Sequence, residues 1–98
     1  MRLSPDDIAS IKSAAQEVFG PGAVVRLFGS RRFDELDGGD LDLHVEVDAT
    51  DDTQHRLHNL RRRLWAKLPY DKIDVLVSRR GVAARGFERI AYRDGIVL

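Results

Sequence analysis

The sequence predicts a single small α/β (α+β) domain spanning residues 1–98, with a mixed three- to four-stranded sheet and helices packed on its apolar face. Three observations predict it. Strict alternation from Asp40 to Val47 marks a strand with one apolar and one acidic face. Leu57, Leu60, Leu64 and Leu68 then recur at helical spacing. A further apolar strand follows from Ile73 to Val77, and the stretch from Asp40 to Val77 is long enough for a crossover connection.

The other elements follow from local chemistry. Ser4-Pro5-Asp6-Asp7 reads as a helix start, with Ser4 as N-cap, Pro5 at the first helical position and acids in the first turn. Ile8, Ile11, Ala15 and Val18 continue that helix until Gly20-Pro21-Gly22 stops it. Ala23 to Phe28 predicts a strand broken at Gly29-Ser30, then a short helix over 31–36 and a turn at Asp37-Gly38-Gly39. The acids and threonines of 50–53 supply caps for the leucine-striped helix, and Pro69 follows it. A last helix is predicted over 82–92, ended by Asp94-Gly95. Ile96-Val97-Leu98 docks either on the core or on a partner.

Composition narrows the function classes. Lys and Arg together number 16, as do Asp and Glu, so the formal net charge is zero. A free-standing nucleic-acid binder carries a basic excess, because its affinity comes from neutralised phosphates; no such binding is expected here. No apolar run approaches the roughly 20 residues that span a bilayer, so no membrane role is expected. Cysteine is absent, which removes disulfides and thiolate metal sites. With no apolar N-terminal stretch, a cytoplasmic protein is the expectation.

The chemistry concentrates between Phe28 and Leu43. Asp40 and Asp42 leave one face of the same strand, about 6.5–7 Å apart at the backbone. Two carboxylates so close repel each other unless a cation lies between them. A hard divalent ion such as Mg²⁺ accepts carboxylate oxygens and leaves positions for phosphate and water. The plainer alternative is a solvated strand face. Asp74 punctuates a second apolar strand, and if the two strands are neighbours three carboxylates converge. Two divalent ions held this way suit in-line phosphoryl displacement. A strand that breaks at Gly29 and opens a helix at Ser30 presents backbone N–H groups, a hydroxyl and a helix dipole to a phosphate, with Arg31 adding charge.

Gly29-Ser30, a spacer, Asp40-Leu41-Asp42 and the later strand acid Asp74 together resemble the nucleotidyltransferase signature of the DNA polymerase beta-like superfamily. The length, the Gly29-Ser30-Arg31 opening and the Gly38-Gly39-Asp40-Leu41-Asp42-Leu43 form look like its minimal nucleotidyltransferases of the antitoxin type. The resemblance covers nearly the whole chain, through Gly95-Ile96-Val97-Leu98. It implies Asp40 and Asp42 as shared ligands of two Mg²⁺ ions (Mn²⁺ as substitute) and Asp74 as the third carboxylate, beside the attacking hydroxyl. Gly29 and Ser30, with Arg31 alongside, would then hold the β/γ-phosphates of ATP or another NTP. The implied reaction moves a nucleoside monophosphate to a hydroxyl and releases pyrophosphate. Such proteins are commonly encoded beside a small helical HEPN protein and act as its antitoxin, so AMP transfer onto a Tyr of that toxin is the implied role. The chain departs from many relatives after Gly29-Ser30-Arg31, where Arg32-Phe33-Asp34 stand in place of a small residue and a Gly.

A second function class is a non-catalytic antitoxin, a binding module that neutralises a helical partner by occupying its surface. A pure binder has no need to keep like charges together, so the set Ser30, Asp40, Asp42 and Asp74 favours catalysis. A domain this small has no room to orient an acceptor, so a partner protein or a second chain completes the site in a homo- or hetero-oligomer. Other residues read as background. His44 is a half-exposed strand residue or a substrate contact, and His55 and His58 belong to the surface. Asp34, Glu35 and Asp37 are loop acids. Arg61-Arg62-Arg63 is a solvated helix face or a partner contact, and Trp65 is core unless exposed at an interface.

Overall fold

The pleat of one strand divides the molecule into two faces. The computed structural model describes residues 3–29, 40–48, 52–68, 70 and 72–98, without the side chain of residue 40. Its elements are α1 (Pro5–Phe19), β1 (Val24–Phe28), β2 (Asp40–Val47), α2 (Thr53–Lys67), β3 (Lys72–Arg79), α3 (Phe87–Asp94) and β4 (Ile96–Val97). Among the described residues the sheet has four strands in the order β3-β2-β1-β4. β1 runs antiparallel to both β2 and β4, while β2 and β3 are parallel and joined by α2. This is the mixed α+β sheet that the alternation and the crossover spacing predict.

Register aligns the apolar phases. Leu27 faces Leu43 across the antiparallel pair, and Leu41, Leu43 and Val45 face Ile73, Val75 and Val77 across the parallel one. Leu41, Leu43, Val45 and Val47 are at most 1% exposed. The stripes of α1 (Ile11, Ala14, Ala15, Val18) and α2 (Leu57, Leu60, Leu64) close over this face and over each other.

α1 starts as its sequence dictates, with the Asp7 N–H donating to Ser4 Oγ at 3.0 Å and Pro5 in the first turn. It has no basic residue in its last turn. Arg56 of α2 supplies one, donating from Nη1 to the Val18 carbonyl at 2.6 Å.

α3 departs from the expectation in place and extent. It starts at Phe87, because Gly86 takes φ +50° and breaks the backbone just before it. It lies on the face opposite α1 and α2, where the Tyr92 ring meets His44 edge-on at 4.7 Å and Ser78 Oγ donates to Glu88 at 2.5 Å. His44 is therefore wholly buried and not the half-exposed strand residue expected. Ile96-Val97 forms β4 on the outer edge of β1, and the Leu98 N–H donates to the Val25 carbonyl at 2.9 Å. Trp65 is 53% exposed, so it belongs to the surface and not to the core. The predicted helix over 31–36 and the turn at 37–39 lie outside the described residues.

Leu43 sits where both central strands and the helical layer meet. Leu43→Ala should lower the unfolding free energy by about 2–5 kcal/mol, a large share of the ~5–15 kcal/mol typical of a domain. Urea denaturation checks this: the midpoint should fall with an unchanged slope. An unchanged midpoint would contradict this packing.

Candidate active site

The polar face of the sheet is built from the even-numbered positions of β2 and β3. In the parallel ladder Asp42 is aligned with Asp74, and Asp40 with Lys72. Strands lie about 4.8 Å apart, so the two carboxylates stand side by side on one face. Sequence phase alone predicts this convergence, and the register delivers it for Asp42 and Asp74. Asp40 is placed by its backbone, one pleat earlier on the same face; its side chain lies outside the described residues, as do Ser30 and Arg31.

Gly29 closes on this pair. It follows Phe28, which is aligned with Asp42 across β1 and β2. Its φ is +77°, a left-handed conformation that L side chains rarely adopt. A Cβ placed there would collide with an Asp42 carboxylate oxygen and lie 3.1 Å from Asp42 Cγ. The missing side chain is thus what lets the end of β1 approach the carboxylate.

Lys72 Nζ lies 3.6 Å from Asp74 Oδ2, and both side chains are more than half exposed. An exposed pair of this kind contributes only about 0–1 kcal/mol, so it does not close Asp74 to a ligand. Asp42, Asp74 and Gly29 open onto a cavity of about 520 Å³, which Phe87, Ile90 and Arg61 also line. Asp94 lines it too, held in a two-point contact with Arg93.

Among the described residues no group of three carboxylate or imidazole side chains gathers around one point as a metal site. The described part is the Asp42–Asp74 pair. Its donors are hard carboxylate oxygens on rigid strands, facing an open cavity, a set that suits Mg²⁺.

The sequence reading missed the opposite wall. Phe87, Ile90 and Asp94 recur at i, i+3 and i+7 and share one face of α3. That spacing was legible; what hid it was placing the helix start at Val82. Arg61 was indistinguishable within the arginine run, yet it alone reaches the edge of β3, donating from Nη2 to the Val75 carbonyl at 3.4 Å.

Behind the carboxylates lies a buried polar chain. His44 Nε2 is 2.8 Å from Ser78 Oγ, and Ser78 donates its one proton to Glu88. Nε2 must therefore carry the proton toward Ser78, leaving Nδ1 bare and, among the described residues, without a hydrogen-bond partner. Burial, and then the charge of Arg26, push the imidazole below its ordinary 6.5, against a smaller opposing pull from Glu46 and Glu88. Arg26 stacks over Tyr92 at 4.7 Å and donates to Glu46 at 2.8 Å. That bond, joined by one from Arg80, holds Glu46 below the usual carboxylate range despite its partial burial.

Comparisons with protein-family models, with curated proteins and with solved structures give no match.

Two outcomes follow. Gly29→Ala should destabilise the protein by about 1–2 kcal/mol from left-handed backbone strain alone and should displace the Asp42 carboxylate; wild-type thermal unfolding in the variant would refute the close approach. His44 binds its proton less readily when folded than when unfolded. Stability should therefore hold above pH 6.5 and fall as the pH drops below it, because the unfolded chain then binds more protons. His44→Phe, which keeps a ring against Tyr92, should flatten the stability curve between about pH 6.5 and 5.5 in urea titrations at stepped pH.

Proposed function

We propose that this protein is a divalent-metal-dependent nucleotidyltransferase that moves a nucleoside monophosphate, AMP from ATP, onto a hydroxyl of a partner polypeptide. The carrying observation is the pairing of Asp42 with Asp74 in register on parallel strands, with Gly29 packed against Asp42 at the mouth of an open cavity. The resemblance of Gly29-Ser30, Asp40-Leu41-Asp42 and Asp74 to the minimal nucleotidyltransferases supports the same reading. On it, the partner is a helical HEPN-type toxin, the acceptor a tyrosine, and the protein its antitoxin.

Asp40, Asp42 and Asp74 would hold the metal, two Mg²⁺ ions or Mn²⁺ in their place. Bound there, the metal supplies charge neutralisation at the transferring phosphoryl group and acidifies the acceptor hydroxyl. On this reading Asp74, on the outer strand, accepts the proton of the incoming hydroxyl. The acceptor oxygen bonds to the α-phosphorus as the α–β bridging bond breaks, and pyrophosphate leaves toward the Gly29 end. Gly29 provides backbone close to the phosphates, with Ser30 and Arg31 next in the chain. Orientation of the acceptor, which contributes several kcal/mol to such a step, falls to the partner.

The second reading is a binding module without catalysis. It is favoured by the apolar surface on several elements: Phe87 is 71% exposed, Val97 58% and Trp65 53%.

The two readings separate cleanly. Millimolar Mg²⁺ with ATP should raise the wild-type melting temperature by several degrees, since a ligand of the native state stabilises it. Asp42→Asn should abolish that rise. With the partner and labelled ATP, wild type should transfer AMP, and Asp74→Asn should lower the rate by about 10²–10⁴-fold while leaving the complex intact. Normal transfer by Asp74→Asn would end the mechanism, and protection by a complex without transfer would establish the binding module.

A further inference from the structure

Resting on the nucleotidyl-transfer reading, we propose that the acceptor is presented as an extended, acid-bearing peptide segment that adds as a fifth strand to the outer edge of β3. Among the described residues β3 is a terminal strand of the sheet. The Arg80 N–H bonds inward to the Val47 carbonyl, whereas the Val75 carbonyl bonds outward to Arg61. Backbone groups alternate sides along a strand, so Ile73, Val75 and Val77 all point their N–H and C=O groups away from β2. The Arg61 contact at 3.4 Å is long, and it covers only the Val75 carbonyl. This is an open template for strand addition.

A groove of about 730 Å³ runs along this edge between β3 and α2. It shares Arg61, Val75 and Leu76 with the cavity that holds Asp42 and Asp74, so groove and site are continuous. Its charged side chains are Arg61, Arg79 and Asp52, a net positive lining. Arg61 is half-buried and, among the described residues, has no carboxylate partner. That charge selects an acidic occupant.

The pleat then places the acceptor. A residue of the added strand aligned with Asp74 stands on the same face, with its Cβ about 4.5–5.5 Å from that of Asp74. A hydroxyl side chain at that one position meets the outer carboxylate of the pair, while its neighbours in sequence face the other way. Site and groove together thus specify a hydroxyl residue flanked by extended chain, with acids within reach of Arg61 and Arg79.

The probe is a short synthetic peptide of alternating glutamate and valine with one central tyrosine. Fluorescence anisotropy should detect its binding to wild type, and hydrogen exchange at the Val75 and Val77 amides should slow by about tenfold or more. Arg61→Ala and Arg79→Glu, neither in the catalytic set, should each weaken binding by about tenfold. A lysine-for-glutamate peptide, and one N-methylated along its pairing edge, should not bind. The surface is refuted if the acidic peptide fails to bind, if the N-methylated peptide binds equally, or if Val75 and Val77 exchange unchanged. It is also refuted if sedimentation shows two copies of this chain already paired through β3. AMP transfer to the tyrosine is read separately by mass. Binding with β3 protection but no transfer upholds the surface and defeats the nucleotidyl-transfer reading. Transfer without β3 protection does the reverse.

Discussion

Everything about the polar face depends on the parallel register between β2 and β3. Aligning Asp42 with Asp74 sets two like charges side by side, and a slip of one residue would turn Asp74 into the apolar layer beneath α2. The slip is forbidden from the other face, because Leu41, Leu43 and Val45 need Ile73, Val75 and Val77 opposite them. Hydrophobic packing on one side of the sheet thus enforces electrostatic crowding on the other. The exposed Lys72, 3.6 Å from Asp74, offsets that crowding only weakly.

The same pleat explains why the polar face is layered along its length. At Asp42 it borders the cavity. Two residues further along β2, His44 is sealed under Tyr92, and beyond it Glu46 is gripped by Arg26 and Arg80. α3 therefore serves as roof and wall at once: Ala91 and Tyr92 cover the buried polar chain while Phe87 and Ile90 border the cavity. The hydrogen bond from Ser78 to Glu88 and the stacking of Arg26 on Tyr92 tie the roof to the sheet.

What was legible in the sequence was whatever repeats with a short period. Asp40 to Val47 declared both its faces, the Ser4-Pro5 start declared its cap, and the leucines of α2 declared the crossover. The shared phase of Asp42 and Asp74 was legible for the same reason, since alternation carries across neighbouring strands. What could not be read was which layer α3 would join. α3 buries a single residue, Ala91, and its position follows from His44, Ser78 and Tyr92, which are far apart in the chain. His44 was misread for that reason: it follows the acidic phase of β2, and only the roof makes it interior. Arg61 looks like its neighbours Arg62 and Arg63 until the edge of β3 is in place.

Arg80 ties together three places that are remote along the chain. It bonds Glu46 and Asp48 at the end of β2 and the Gly22 carbonyl in the turn between α1 and β1, 58 residues away. Closing so long a loop is entropically unfavourable, so contacts of this span form late. The turn that feeds β1 is therefore anchored only after the chain has travelled through α2 and returned as β3. A nascent chain that has not yet reached residue 80 holds the entrance to β1 without that clamp, and β1 gains its outer neighbour β4 later still.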